Sequence, residues 1–351
     1  MAPLGAILLG VERGSDRNPS GTRVGTLPPS GAAAARATLA DLIGPCKPGA
    51  ILGMDTLQQH QKNLLDALEA VSRFGWLTRD QITRILWPGS TLATREKLGQ
   101  RLLGKVQEKG LLLRRVIDGG GSAYVLRPAG VSYLKSFRPT VVTKSGLDLR
   151  LGNVRHRSLS NNILITRMLQ GMQIWTEYEI QTRRTPDITV ANKVPDGAVL
   201  EDDATGAAMQ WVEVEAHSRK RQDFEALCRL IRGPLSRAWT GAYQISEGVY
   251  LMGLELYYAE EHLGALLTHR LLQVAHAEGW PDSLLDSVEL YWAQQTPRGR
   301  WNGIKQVGTL LYPPESWTTK KLSALESSLT QRVNRLTSEL EAMKAQGGPN
   351  G

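Results

Sequence analysis

Three carboxylates in the middle of the chain have the residue types and spacing needed to hold a divalent cation. Glu213 and Glu215 alternate with valines in the segment WVEVEA (211–216), so a strand here would carry both glutamates on one face. Paired carboxylates repel each other unless they are solvated or share a cation, and Asp196, after Pro195, could complete a site for Mg²⁺ or Mn²⁺. Such a cation activates water and stabilises phosphate transfer. The same alternation is also the ordinary pattern of a half-exposed strand, and this alternative stays open.

The elements that must position these carboxylates follow the order helix, strand, strand, strand, helix, strand. Periodicity predicts a helix over 159–169, strands over 173–181, 197–200 and 209–216, a helix over 218–231 and a strand over 248–257. In this order Asp196 opens one strand of a hairpin and the two glutamates lie on the other. We therefore expect an α+β fold in which the three carboxylates approach one another.

A basic segment precedes this half of the chain and predicts a DNA-binding module. Helical periodicity over 57–71, 79–86 and 90–109 is followed by two short strands, 111–117 and 123–126, around a glycine-rich turn. This order is that of a winged helix, whose third helix enters the major groove while the hairpin lies near the DNA backbone. The candidate DNA-contacting residues are Arg95, Lys97, Arg101, Lys105, Lys109, Arg114 and Arg115. The alternative is an amphipathic segment whose cations are only solvated.

Charge separates the two halves. The chain carries a net charge of +8, with 19 Lys and Arg against 8 Asp and Glu over residues 54–172, and 13 against 20 over residues 173–319. A basic first half favours a polyanionic partner such as double-stranded DNA. The two cysteines are far apart, and no apolar stretch reaches the length of a membrane helix, so we expect a cytoplasmic protein without a disulfide framework, a signal peptide or a membrane partner.

The motifs together resemble a known group of proteins. Pro195-Asp196 followed by Glu213-Val214-Glu215 is similar to the motif of the PD-(D/E)XK nuclease fold. The segments that begin at 77, 123, 155 and 194 resemble the replication-relaxation family, and MobC-type plasmid relaxases are similar in joining a winged helix to such a nuclease-like domain. The resemblance implies metal-dependent DNA nicking at a transfer or replication origin, with Asp196 and Glu213 as metal ligands and mobilisation or coupling proteins as partners.

The sequence departs from that pattern at its third position. Glu215 stands where the motif has lysine, so the resemblance implies that a lysine would come from elsewhere, with Lys193 or Lys220 as candidates. The first helix of the fold often carries a glutamate, and 159–169 contains none. A covalent mechanism would need a tyrosine nucleophile. Nothing in the sequence selects one among Tyr178, Tyr243, Tyr250, Tyr257 and Tyr258, and the same holds for His156 and His217.

These observations predict a domain organisation and leave three function classes open, one of which is a structural tether whose C-terminal helix bridges to a coupling or secretion protein. We expect a disordered leader (1–53), a winged-helix domain (54–136), a basic linker (137–158), a PD-(D/E)XK-like domain (159–318) and a C-terminal helix (319–346). The leucine stripe of that last helix would either pair two chains or dock on its own chain. The first function class is a metal-dependent nickase with Asp196, Glu213, Glu215 and Lys193 in the site. The second is a non-catalytic DNA-binding regulator or accessory protein with a degenerate nuclease fold.

Overall fold

The computed structural model describes residues 56–117, 121–141, 143–190, 193–203, 206–217, 220–241, 243–296 and 300–317, with 334–335 and 337–338 near the C-terminus. The predicted leader and nearly all of the predicted C-terminal helix lie outside the described residues. None of the helices in the described part of the chain combines the length and apolarity that a membrane-spanning segment requires.

The first part of the described chain consists of four helices and a small sheet. The helices are α1 (Thr56–Phe74), α2 (Arg79–Leu86), α3 (Leu92–Glu108) and α4 (Pro128–Phe137). Strands β1 (Trp76–Thr78), β2 (Leu112–Ile117) and β3 (Gly121–Leu126) form an antiparallel sheet in the order β1-β3-β2. A capping box fixes the start of α2, because the Thr78 hydroxyl accepts the Gln81 N–H and the Gln81 side chain accepts the Thr78 N–H. The three helices and the hairpin form where periodicity and the glycine-rich turn predict them.

A larger mixed sheet forms the second part. Its strands are β4 (Gln173–Thr176), β5 (Gly197–Asp203), β6 (Gly206–Glu215), β7 (Gln244–Ser246), β8 (Val249–Tyr258), β9 (Val288–Gln295) and β10 (Trp301–Thr309). The order is β10-β9-β8-β6-β5-β4, with β7 paired to β8. Strands β4, β5 and β6 form an antiparallel meander, whereas β8 runs parallel to β6 and β9. The structure is thus a mixed α and β protein.

Helices cover both faces of this sheet. Helix α5 (Val154–Leu169) lies on one face, and α6 (Glu177–Gln181) follows β4 directly. The other face packs against α7 (Arg221–Leu230), which continues through a π-helical turn (Ile231–Leu235) into α8 (Ser236–Gly241), and against α9 (Glu261–Glu278) and α10 (Asp282–Asp286). A short 3₁₀ turn, Glu315–Trp317, follows β10.

Alternation along β6 divides its side chains between two cores. Val212 and Val214 join Ile163 of α5 in the first core, while Trp211 joins Leu227 of α7 in the second. The first core also contains Leu68 and other apolar residues of α1 to α3. The N-terminal helices and the large sheet therefore share one apolar core.

Two of the differences from the predicted element bounds affect the residues around Asp196. The predicted strand 173–181 ends at Thr176, because the Thr176 hydroxyl and the Glu179 carboxylate form a capping box that starts α6. The predicted helix 159–169 begins earlier, at Val154, within the segment predicted as a linker. This extension places Arg155, His156 and Arg157 on the first turn of α5, where His156 contacts the Val214 carbonyl of β6.

Candidate active site and nucleic-acid interface

Helix α3 presents a row of cations to solvent. It packs inward through Leu102, Leu103 and Val106, and Gly99 lies so close to α2 that a Cβ there would be 2.4 Å from the Thr83 methyl carbon. The solvent side of α3 carries exposed cations that form no ion pair within the described part of the chain, namely Lys97, Arg101 and Lys105, and Lys109 directly follows the helix. Uncompensated cations on one helix face attract phosphate groups.

The other three predicted DNA-contacting residues have different surroundings. Arg95 is half-buried at the start of α3. On β2, Arg114 is exposed and donates to the Ser122 hydroxyl at 2.8 Å, so it remains at the hairpin surface. Arg115 is half-buried and donates to the Leu149 carbonyl, which ties the hairpin to the segment before α5. The structure therefore leaves five of the seven candidates exposed, three on α3, one directly after it and one on the hairpin.

Asp196 lies directly before β5 and contacts both the neighbouring strand and α5. Its N–H donates to the Val212 carbonyl at 3.0 Å, and its Oδ2 accepts the Val214 N–H at 2.8 Å. His156, on the first turn of α5, places Nε2 3.3 Å from the same carboxylate oxygen and 3.1 Å from the Val214 carbonyl. The aspartate that the sequence selected is thus held at the carboxyl end of β6 by an imidazole that the sequence did not select.

The charges of this pair shift both of their pKa values. Burial disfavours the imidazolium, but the hydrogen bond and negative charge of Asp196, with a smaller effect of Glu177, raise the pKa of His156 to about 9. Burial alone would raise the pKa of Asp196, but the hydrogen bond and positive charge of His156 lower it below its ordinary value. The pair is therefore ionised near neutral pH.

Glu213 is buried opposite this aspartate. Gly197 pairs with Val212 on the antiparallel strand. Asp196, one residue before Gly197, therefore lies opposite Glu213, one residue after Val212. Glu213 Oε1 accepts the Trp211 indole N–H at 2.8 Å, and Oε2 lies 2.8 Å from Lys193 Nζ. The positive charge of Lys193 also lowers the pKa of Asp196. One lysine therefore lies close to both carboxylates.

The chain fixes Lys193 through a local backbone pair. The N–H of Lys193 donates to the Val190 carbonyl at 2.8 Å, and the Val190 N–H donates back at 3.0 Å. The Val190 side chain is buried in the second core. Of the two lysines suggested for the missing motif position, Lys193 reaches the glutamate, and Lys220 is an exposed residue at the start of α7.

Two further charged residues complete the cluster. Glu177, the first residue of α6, lies near Asp196, and its Oε2 is 3.9 Å from Arg157 Nε. Burial raises the pKa of Glu177, an effect that Arg157 partly offsets and the charge of Asp196 reinforces. The sequence analysis missed this residue because it expected 173–181 to be one strand. The signal for it was the Thr176-x-x-Glu179 capping box.

The three predicted carboxylates do not form one ligand group. Within the described part of the chain, no three His, Cys, Asp or Glu side chains are grouped so that they could hold a metal ion together. Asp196 and Glu213 occupy neighbouring positions, while Glu215 is buried at the end of β6. The chemistry of this donor set is two hard carboxylates beside a lysine, which suits Mg²⁺, since that ion often takes one or two protein carboxylates and completes its shell with water and phosphate.

The candidate tyrosines include one with defined polar contacts. Tyr257 is fully buried, its hydroxyl donates to Glu255 Oε2 at 2.7 Å, and it accepts from Arg167 Nε at 2.8 Å. Burial and the adjacent Glu255 raise its pKa well above the ordinary value. A buried, neutral hydroxyl of this kind is poorly suited to attack a phosphate.

Comparison with solved structures gives distant likenesses to a restriction endonuclease. No protein-family model and no curated protein matches the chain. The chain is similar to a structure of the restriction endonuclease FokI, with 12% identity, a TM-score of 0.24, and coverage of 63% of this chain and 40% of that one. For a structure of FokI bound to DNA the values are 14%, 0.22, 67% and 46%. The chain thus spans under half the length of FokI, and a likeness at this level transfers neither a site nor an activity.

Proposed function

We propose that this chain is a DNA-binding protein whose first part is a winged helix. The observation that carries the proposal is the row of exposed cations on α3, none of which is neutralised by an ion pair within the described residues. In a winged helix this element is the one that enters the major groove. The antiparallel β2–β3 hairpin, with the exposed Arg114, would then lie against the backbone.

We further propose that the second part is a restriction-endonuclease-like domain that cleaves one DNA strand. The observation that favours cleavage is the contact of 2.8 Å between Lys193 and Glu213, with Asp196 at the neighbouring strand position. The motif has lysine at the position where this chain has Glu215. In this proposal Lys193 would take the role of that lysine. From the sequence resemblance to the replication-relaxation family, we propose that such nicking would occur at an origin of plasmid or mobile-element DNA.

The proposed site would hold Mg²⁺ or Mn²⁺ through Asp196 and Glu213. The bound ion would polarise the phosphate and lower the pKa of an attacking water. The backbone N–H of Val214 orients the Asp196 carboxylate, and the Trp211 indole orients Glu213. Lys193, beside both carboxylates, would stabilise the negative charge that develops on the phosphate.

The alternative function is a non-catalytic DNA-binding accessory protein. The observation that favours it is that both carboxylates already have cationic partners within the chain, since His156 contacts Asp196 and Lys193 contacts Glu213. Glu213 is also almost inaccessible, with 2% of its side chain exposed. In this case the cluster would stabilise the end of the sheet, and DNA binding would be the whole activity.

A nicking assay separates the two functions. Supercoiled plasmid that carries the chain's own origin region is incubated with Mg²⁺, Mn²⁺ or EDTA and with native protein, Glu213→Gln or Glu201→Gln. Glu201 is exposed on β5 and provides a matched control outside the cluster. Metal-dependent nicking that Glu213→Gln loses and Glu201→Gln retains would support the nuclease. DNA binding without nicking under any metal would leave the accessory protein.

A further inference from the structure

The β9–β10 hairpin brings a cation from the large sheet to α3. Its end is closed by two hydrogen bonds, from the Thr296 N–H to the Arg300 carbonyl at 2.7 Å and from the Arg300 N–H to the Thr296 hydroxyl at 3.1 Å. Arg300 extends from this closed end, and its Nη2 lies 3.9 Å from Glu96 Oε1 on α3. Arg300, about two hundred residues beyond Glu96 in the sequence, is therefore adjacent to α3, the helix proposed to enter the major groove.

The neighbouring Trp301 anchors the hairpin end. Its indole N–H donates to the Thr166 hydroxyl at 3.1 Å, and the Arg84 guanidinium lies 5.6 Å from its ring. Arg84 itself donates to Asn162 Oδ1 at 2.8 Å and to the Thr166 hydroxyl at 3.0 Å. Contacts with both α2 and α5 thus hold the hairpin end in place, so that Arg300 is presented at a defined position.

Glu96 is the ion-pair partner of Arg300, and two further arginines, Arg84 and Arg95, lie at this end of the hairpin or near it. Burial lowers the pKa of Arg84 to about 10, an effect that the charge of Asp80 opposes and that of Arg95 reinforces. The ion pair of Arg300 with Glu96 leaves 61% and 49% of the two side chains exposed. An exposed pair at that distance contributes little to stability. The carboxylate of Glu96 thus occupies a position that an external anion could take over at small cost.

We propose that the β9–β10 hairpin is a second DNA-contacting element, in which Arg300 binds a backbone phosphate beside the groove that α3 enters. This inference rests on the proposed DNA binding by α3. Recognition helices contact bases mainly through their N-terminal residues, and Glu96 lies in the first half of α3. The phosphates that flank that end of the helix would therefore lie near Arg300 and replace Glu96 as its partner.

The consequence is that one duplex contacts both parts of the chain. The phosphate contact by Arg300 would fix how the large sheet is oriented along the duplex without reading any base, as backbone contacts do. Glu96, which carries negative charge at the same surface, would oppose DNA binding.

The test uses the full chain and a labelled duplex of mixed sequence, roughly 30 base pairs or three helical turns long. Fluorescence anisotropy is measured over a series of salt concentrations for native protein, Arg300→Ala, Glu96→Gln, Lys97→Ala and Arg232→Ala. Arg232 is the matched control, because it also forms an exposed ion pair, at 3.0 Å with Glu278, but lies on the opposite face of the sheet. The logarithm of the binding constant falls linearly with the logarithm of the salt concentration, and loss of one phosphate contact makes this negative slope shallower by about 0.9.

We expect that slope change and weaker binding for Arg300→Ala and Lys97→Ala, tighter binding at low salt for Glu96→Gln, and native behaviour for Arg232→Ala. If Lys97→Ala weakens binding while Arg300→Ala binds with native affinity and slope, the hairpin does not contact DNA, although α3 does. If Arg232→Ala reproduces the effect of Arg300→Ala, the change reflects net charge alone, which also overturns the inference. If the native chain does not bind duplex DNA, both the inference and the proposed function fail.

Discussion

The ammonium group of Lys193 lies 2.8 Å from a carboxylate oxygen of Glu213. Asp196, directly before β5, lies opposite Glu213 on the neighbouring strand. The glutamate side chain is 2% exposed and the lysine side chain 18%. Removing one member of a buried ion pair leaves the other charge buried without compensation, and this costs more than the intact pair contributes.

Replacement of that lysine should therefore affect both stability and cleavage. We expect Lys193→Met to lower the free energy of unfolding by about 3 kcal/mol. Urea denaturation gives this value, and the double variant Lys193→Met/Glu213→Gln should recover part of the loss. Lys220→Met, at an exposed position, should change stability by less than about 0.5 kcal/mol. Equal effects of the two lysine variants on stability and nicking would contradict the assignment of Lys193.

The His156–Asp196 pair should make stability depend on pH in the absence of divalent metal. The pKa of His156 is about 9 in the folded chain against 6.5 as the ordinary value, so its stabilisation is complete below pH 6.5 and is lost as pH rises through about 9. Asp196, with a lowered pKa, gives stability that is lost as pH falls below its ordinary range.

The measurement for this pair is chemical denaturation in EDTA at a series of pH values. Between pH 6.5 and about 9 we expect the native chain to lose on the order of 2 kcal/mol, and His156→Gln to lose much less. His276→Gln, at an exposed position on α9, is the control and should follow the native curve. Parallel curves for the native chain and His156→Gln would show that the pair does not titrate in this way.

The close approach of α2 and α3 depends on Gly99. A Cβ at this position would lie 2.4 Å from the Thr83 methyl carbon, so Gly99→Ala should destabilise the chain by about 1 kcal/mol or more despite the better helix propensity of alanine. Thr83→Ser removes that methyl group and should rescue Gly99→Ala. Gly104→Ala, on the same helix with no atom within 4 Å, should instead be stabilising. The measurement is thermal unfolding of Gly99→Ala, Thr83→Ser, the double variant Gly99→Ala/Thr83→Ser and Gly104→Ala. A destabilised Gly104→Ala would contradict this account.

Tyr257 should have a structural role. Loss of its buried hydroxyl leaves Arg167 and Glu255 without one hydrogen-bond partner, so Tyr257→Phe should cost about 1–3 kcal/mol of stability. Any nicking activity should persist below the lowered unfolding temperature. Tyr250→Phe, at a half-buried position on the same strand, should leave both properties unchanged. A Tyr257→Phe protein of native stability that has lost nicking would instead favour a covalent role for this hydroxyl.

Local patterns predicted most of the elements and part of the site. The three helices and hairpin of the first part, and the strands that carry Asp196 and Glu213, follow from periodicity, caps and turn residues that act within a few positions of one another. The pairing of Asp196 with the Glu213 strand was also predictable, because consecutive strands with a short connection form a hairpin. The cationic face of α3 required only the helical period.

The sequence by itself thus determined which residues could bind DNA phosphate and which two carboxylates would lie on adjacent strands. Only the tertiary structure brought His156, Glu177 and Lys193 to those carboxylates and Arg300 to Glu96. The contacts of His156, Glu177 and Arg300 depend on how α5, α6 and the β9–β10 hairpin pack on the large sheet, and packing joins residues whose separation in the sequence carries no periodic signal. Lys193 is instead held by its local backbone pair with Val190. The same structure leaves Glu215 outside a common ligand group with Asp196 and Glu213, because a shared strand face does not by itself bring carboxylates to one point.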